Sequence, residues 1–258
     1  MGFVKTPEEI RHIREALTAI HFRSGQLIVV EFMSDMDFVR AVLPPGLEPV
    51  GEPRMRCGLS SFKAASCGPY QGSSVHIRAR HGDIEGSYVL AMYMAVDNAV
   101  LFGREVFGEP KKVATVDFAF EGERKRGSVE RAGTRLIEID MEAGPEAEPT
   151  DRSGIDFNYK TFMAADGRGL AADPILVAVQ IDSKVHRMLP GKGTLRFDGN
   201  VHDPLHEIPV REMLSVTYLE LDVRASARDL ATVPADAFLP YAYGRLPDWG
   251  VLAAMEAE

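Results

Sequence analysis

No stretch of the 258-residue chain approaches the ~20 consecutive apolar residues that cross a bilayer, and its first residues, Met1-Gly2-Phe3-Val4-Lys5, lack the apolar core of a signal peptide. A membrane is therefore not an expected partner, and a cytoplasmic location is expected. Cysteine is nearly absent. Cys57 and Cys67 are too few for a disulfide framework, and they do not form the Cys-x-x-Cys spacing of zinc or redox sites. Basic charge is also scarce: 29 Lys and Arg stand against 38 Asp and Glu, leaving a formal charge of −9. A phosphate backbone would be repelled, so nucleic acid is not an expected partner either. The densest basic run, Arg124-Lys125-Arg126, follows Glu121 and Glu123 and reads as a solvated turn between strands.

What is present suits a packed globular protein, since a hydrophobic content of 45% supplies a core that needs no metal or disulfide. Thr6-Pro7-Glu8-Glu9 is a helix start, with a capping box from Thr6 to Glu9, and the helix is expected to run to about Ala19. The run from Gln26 to Phe32 predicts a buried strand, and Asp35 is expected to cap a second helix that stops at Pro44-Pro45-Gly46. Strand patterns follow at Arg54–Phe62, Val75–Arg78, Tyr88–Val96, Val113–Glu121 and Leu136–Met141. A polar loop around Gly144–Pro149 separates these from further strands at Phe157–Ala164, Ile175–Ser183, Thr194–Phe197 and Ser215–Val223. The pattern predicts an α+β fold, mainly antiparallel, forming one domain over residues 1–258. The tail from Pro234 through Tyr241, Tyr243 and Trp249 is expected to pack over the core, with Met255-Glu256-Ala257-Glu258 fraying.

Two motifs that resemble ligand sites carry little. His202-Asp203-Pro204-Leu205-His206 has two histidines four apart, but Pro204 breaks the helix that a zinc pair at that spacing needs. Gly191-Lys192-Gly193-Thr194 lacks the upstream glycine and the following helix of a phosphate loop, and reads as a turn.

The segment Gly103-Arg104-Glu105-Val106-Phe107-Gly108-Glu109-Pro110-Lys111-Lys112 is different, because adjacent lysines lead directly into an apolar strand. A free lysine has a pKa of ~10.4 and is almost wholly protonated at neutral pH. Burial and a neighbouring ammonium both favour the neutral, nucleophilic amine. In an extended segment the two lysines point to opposite faces, so only one can enter a given pocket. Glu109 is expected to face outward, because an inward carboxylate would favour a charged Lys111, although it would then be placed as a proton donor.

Gly103-Arg104-Glu105, four residues, then Pro110-Lys111-Lys112 closely resembles the signature of the acetoacetate decarboxylase family. The resemblance extends from about Phe22 to Val223. It takes in Ser34-Asp35-Met36-Asp37, Leu43-Pro44-Pro45-Gly46, Gly86-Ser87-Tyr88, Met92-Tyr93, Asn158-Tyr159 and Ile208-Pro209-Val210-Arg211-Glu212. It implies a barrel-like β core with peripheral helices, a homo-oligomer, and no cofactor or metal. By the same resemblance Lys111 is the Schiff-base nucleophile and Lys112 its neighbour, while Arg104 and Glu105 pair or position the loop.

Candidate substrate contacts are Arg23, Tyr70, Gln71, Tyr88, Met92, Glu109 and Tyr241, with Tyr243 a further polar group. Two positions depart from the family pattern. Gly25 stands where the family has an arginine, with Arg23 nearby, and Gln71-Gly72 stands where a glutamate follows a tyrosine comparable to Tyr70. The expected function is lyase chemistry on a small keto acid, by family default decarboxylation of a β-keto acid. The alternatives are an aldolase-dehydratase using a pyruvate-type donor and an aldehyde, and a noncatalytic ligand-binding member of the fold.

Overall fold

The structure is a computed structural model that describes residues 2–64 and 67–246, with the backbone alone at Phe120 and Glu121. Trp249 and Met255–Glu258 lie outside the described residues. In chain order the elements are α1 (Pro7–Thr18), β1 (Ile20–Met33), α2 (Met36–Val42), β2 (Glu48–Pro49), β3 (Arg54–Ala64), β4 (Gly68–His81), β5 (Ile84–Met94) and α3 (Asp97–Phe102). A π-helical turn, Gly103–Phe107, leads to β6 (Lys111–Val113), β7 (Thr115–Glu121), β8 (Arg124–Arg131) and β9 (Thr134–Ala143). Then come β10 (Arg152–Lys160), β11 (Ile175–Phe197), β12 (Glu212–Thr232) and α4 (Ala235–Gly244). No helix of the described residues is long and apolar enough to cross a membrane.

Seven strands close on themselves in the order β10-β5-β4-β3-β1-β12-β11, and β11 pairs back with β10. Most pairs are antiparallel, while β5 runs parallel to β10 and to β6, so the barrel is mixed. The long β11 continues past the barrel and pairs with β9, which carries β8 and β7 as a second layer.

Side-chain alternation separates the barrel's two faces. On β12, Leu219, Leu221 and Ala225 are buried, whereas the intervening Glu220 and Asp222 meet Arg187 and His186 at the surface and Arg224 is exposed. The first set therefore points into the barrel and the second set out. The main core lies on the outer side, where Ile28, Val30, Phe32, Cys57, Leu59, Val75 and Ile77 are covered by Val129, Leu136, Ile137, Ile139 and Met141 of β8 and β9. Phe107, Val177, Val179 and Ala225 form a separate inner cluster.

One buried ion cluster ties the two layers together. Asp203, 2% exposed, accepts from Lys112 Nζ at 2.8 Å and from Tyr93 Oη at 3.1 Å, and it also pairs with Arg131 at the end of β8.

Several sequence expectations are corrected. Arg124-Lys125-Arg126 is not a turn but the start of β8: Arg124 and Arg126 flank Asp140, and buried Lys125 lies over the Tyr218 ring. Gly191-Lys192-Gly193-Thr194 lies inside β11, where both glycines sit against the β9 backbone and Gly191 Cα has room for no Cβ beside Glu142 O. The segments Ile175–Ser183 and Thr194–Phe197 are thus one strand. Asp35 precedes α2 but makes no side-chain cap, because its carboxylate is taken by Arg211. At α1 the expected capping box is present, with Glu9 N donating to Thr6 Oγ1 at 3.2 Å and Thr6 N to Glu9 Oε2 at 2.8 Å.

Replacing Asp203 with Asn leaves two largely enclosed cations, Lys112 and Arg131, without their counter-charge. Urea denaturation is expected to show a loss of about 3–5 kcal/mol.

Candidate active site

The signature segment is shaped by two glycines. Gly108 ends the π-helical turn at φ +71°, and a Cβ there would stand 2.6 Å from the backbone of Tyr159 and Lys160 on β10. Only glycine meets both demands, a left-handed backbone and close contact with a strand. Beyond it, Glu109 N donates to Gly103 O at 3.1 Å and Lys111 N to Glu109 O at 2.8 Å. Arg104 Nη1 donates to Lys111 O at 3.2 Å, so Arg104 braces the lysine backbone. Lys111 then enters β6 in register with Met92, and Lys112 in register with Tyr93.

That register sends the two lysines to opposite faces. Lys112 goes to the outer side with Tyr93, where its ammonium also donates to His202 O at 2.8 Å. Burial lowers the Lys112 pKa, Asp203 opposes this, and Arg131 and Arg104 add to the lowering. Lys111 goes to the inner side and is 6% exposed, with Nζ 2.7 Å from Glu109 Oε2. Glu109 thus faces inward rather than outward, because the turn ending at Gly108 folds its carboxylate back over Gly103. A Cβ on Gly103 would lie 2.2 Å from Glu109 Oε2 and 2.7 Å from Lys111 Nζ, so the ion pair occupies the space a side chain would need.

Further polar groups share this inner face. Tyr70 packs its ring against Phe22 and Phe62 at 6.4 and 6.2 Å. Burial, with the charges of Cys67 and Glu109, holds its phenol well above the ordinary value, so it remains a hydrogen-bond donor. Gly72, Ser74 and His76 follow Tyr70 on the same face of β4. His76 Nε2 is 2.8 Å from Ser74 Oγ, and its Nδ1 is 3.1 Å from Arg56 Nη2 and 3.3 Å from Asp156 Oδ1. Arg56 Nη2 also donates to Asp156 Oδ1 at 2.7 Å. Burial and the Arg56 guanidinium lower the His76 pKa, against the raising influence of Asp156 and Glu109. Burial would raise Asp156, but His76 and Arg56 outweigh it and hold the carboxyl below its ordinary value.

The structure brings together only some of the expected contacts. Lys111, Glu109, Tyr70 and Met92 share the inner face. Tyr88 lies on the outer face against Tyr159, and Tyr241 packs on Phe238 of α4, so neither is placed beside Lys111. Gln71 alternates with Tyr70 and Gly72 and therefore points outward. Arg23 is exposed in an open groove of about 560 Å³ with Asp182, Lys184, Asp222 and Arg224, and Tyr243 is tied to Gly167 O. Lys112 lines a smaller outer recess of about 140 Å³, and Lys111 lines neither space. The Lys111–Glu109 pair is therefore set apart from both openings.

The two departures from the family pattern have a steric counterpart. A Cβ at Gly25 would lie 2.3 Å from the Phe62 ring, and one at Gly72 would lie 2.7 Å from Met94 Cε. Sequence reasoning missed Arg56, Ser74, His76 and Asp156, although the two-residue alternation of β4 from Tyr70 to His76 carried the signal. It named Asn158 only as part of a resemblance. Asn158 is 0% exposed, alternates with the outward Phe157 and Tyr159, and has no hydrogen-bond partner on either amide atom among the described residues.

The mixed seven-strand barrel matches solved acetoacetate decarboxylases in fold. The acetoacetate decarboxylase (ADC) family profile matches residues 6–233, and the chain belongs to that family. Acetoacetate decarboxylase of Clostridium acetobutylicum is 24% identical over 228 residues, covering 84% of this chain and 93% of that protein. The solved acetoacetate decarboxylase of Legionella pneumophila superposes with a TM-score of 0.75 at 20% identity, covering 83% and 87% of the two chains. The enduracididine biosynthesis enzyme MppR, complexed with the condensation product of pyruvate and imidazole 4-carboxaldehyde, superposes at 0.73 with 17% identity, covering 83% and 89%.

Two outcomes follow from this geometry. In Gly103→Ala the new methyl displaces Nζ, the far end of a flexible side chain. The melting temperature should change little while imine formation with a keto acid falls about 100-fold, as expected for displacement of a reacting atom by ~1 Å. Burial lowers the His76 pKa in the fold, so around and below pH 6.5 the unfolded state binds more protons than the folded one. Unfolding free energy should therefore fall on acidification below that value, and denaturation of His76→Gln should show a flatter pH dependence there.

Proposed function

We propose that the chain is a Schiff-base-forming carbon–carbon lyase acting on a small keto acid, with Lys111 as its nucleophile. The observation that carries this reading is the Lys111 ammonium enclosed on the inner face of the barrel, 2.7 Å from the Glu109 carboxylate. Glu109 is within reach to take the proton Lys111 must lose before attack. The free amine adds to the ketone carbonyl, water leaves, and an iminium forms. Its positive nitrogen then accepts the electron pair of the carbon–carbon bond that breaks, giving an enamine. Tyr70 and Asn158 supply donors for the keto acid's oxygens, and Asn158 gains through substrate the partners it lacks among the described residues.

By family default the broken bond releases CO2 from a β-keto acid. A second reading, aldolase-dehydratase chemistry with a pyruvate-type donor and an aldehyde acceptor, is favoured by Gly25 and Gly72. Phe62 and Met94 fill the space above these two positions, where the family pattern has an arginine and a glutamate. The ligand reported with MppR is of the same pyruvate-plus-aldehyde kind.

Borohydride reduction in the presence of each keto acid tests the proposal. A mass gain mapped to Lys111, absent in Lys111→Ala, is expected. Adduct with acetoacetate and CO2 release identifies the decarboxylase, whereas adduct with pyruvate and turnover only with an aldehyde identifies the aldolase. No adduct with any keto acid would leave the chain a ligand-binding member of its family.

A further inference from the structure

We propose that Ser74 and His76, backed by Asp156 and Arg56, form a proton relay that serves the carbon next to the Lys111 imine. This rests on the Schiff-base reading and adds to it a route for the proton that both lyase types need.

Register carries the argument. Met92 pairs with Lys111 across β5–β6 and with Ser74 across β4–β5, so Ser74, Met92 and Lys111 form one row on the inner face. Adjacent strands lie ~4.8 Å apart, which places Ser74 about 10 Å from Lys111 along that row. The lysine's four-carbon stem and a small keto acid span such a gap. The His76 ring meets Ser74 Oγ at 2.8 Å, which puts the imidazole beside that row.

The hydrogen bonds around the ring suit proton transfer. With the proton on Nε2, the ring donates to Ser74 Oγ at 2.8 Å, and Nδ1 accepts from Arg56 Nη2 at 3.1 Å. With the proton on Nδ1, Asp156 Oδ1 at 3.3 Å accepts it, and Nε2 is free to accept from the Ser74 hydroxyl. Both tautomers are thus provided for, which a histidine held only by packing would not need. The groups that meet the ring are Arg56 on β3, Ser74 on its own strand and Asp156 on β10, and the charge of Glu109 adds a weaker raising influence.

In the step itself, the C–H bond beside the iminium breaks and its electron pair forms the enamine double bond as the iminium nitrogen takes up the displaced electrons. The proton passes to Ser74 Oγ, whose own proton moves to His76 Nε2, and the resulting imidazolium is held by Asp156. The reverse sequence returns a proton to the enamine carbon after CO2 loss. Ser74 is the catalytic residue here and His76 a positioning residue that acts through it.

The test is deuterium uptake into the methyl groups of pyruvate and acetone in D2O, followed by proton NMR and run beside borohydride trapping at Lys111. In Ser74→Ala and His76→Gln, trapping is expected to persist while exchange falls about 100-fold, the lower end of the usual loss for general acid–base catalysis. The acid limb of the exchange pH profile should disappear in both variants. Ser74→Ala removes one oxygen from a half-buried position and keeps the test alive if His76→Gln misfolds. Undiminished exchange with Lys111 still trapped would overturn the relay alone. Equal loss of trapping and exchange would also overturn it, by assigning the two residues to shaping the lysine's surroundings. A wild-type protein that traps neither ketone would overturn the Schiff-base reading itself.

Discussion

Two opposite charges, Lys111 Nζ and Glu109 Oε2, face each other on the inner wall of a closed barrel, and the local structure is arranged around keeping them there. Removing each ion from water costs several kcal/mol, so an unpaired charge at this position would not be tolerated. The pair needs room as well as a partner. Gly103 provides the room by having no side chain, and Gly108 turns the chain so that Glu109 folds back rather than out. Arg104 and the parallel pairing with β5 then fix the direction in which Lys111 points.

Closure of the sheet gives consecutive residues separate environments. Lys111 faces the interior, while Lys112 faces the layer between the barrel and β7–β9, where Asp203, which also holds Arg131 and Tyr93, answers its charge. The second lysine is therefore tied first to the cohesion of the two layers. Any influence of its ammonium on Lys111 acts across the strand and against Asp203, which already answers that charge. This makes enclosure and the contact with Glu109 the dominant features of the surroundings of Lys111.

The inner face also bears on which substrate fits. Phe62 and Met94 lean over Gly25 and Gly72, so no charged side chain can occupy those sites without displacing them. Polar character appears instead at Arg56, His76 and Asp156, on three different strands, and at Asn158, whose amide is enclosed without a partner among the described residues. The polar groups of the inner face thus lie on several strands, while the two positions that depart from the family pattern are covered by apolar side chains.

Local features were readable from residues alone, because they depend on neighbours in the chain. The capping box at Thr6, the strand character of most segments and the opposite directions of Lys111 and Lys112 all follow from backbone geometry and a period of two. The signature around Pro110-Lys111-Lys112 also identified the reactive amine's family before any fold was known. Position across strands was not readable in this way. Which face of each strand turned inward depended on ring closure between β10 and β11, pairing residues such as Asn158 and Val177. Arg124-Lys125-Arg126 looked like a turn because its charge suggested solvent, yet Asp140 on β9 and the Tyr218 ring on β12 make a strand there favourable. Tyr88, Tyr241 and Gln71 looked like site residues because they are polar, and alternation or helix packing turned them away. His76 met Asp156 and Arg56 only through folding, since electrostatic and hydrogen-bond contacts depend on distance in space rather than along the chain.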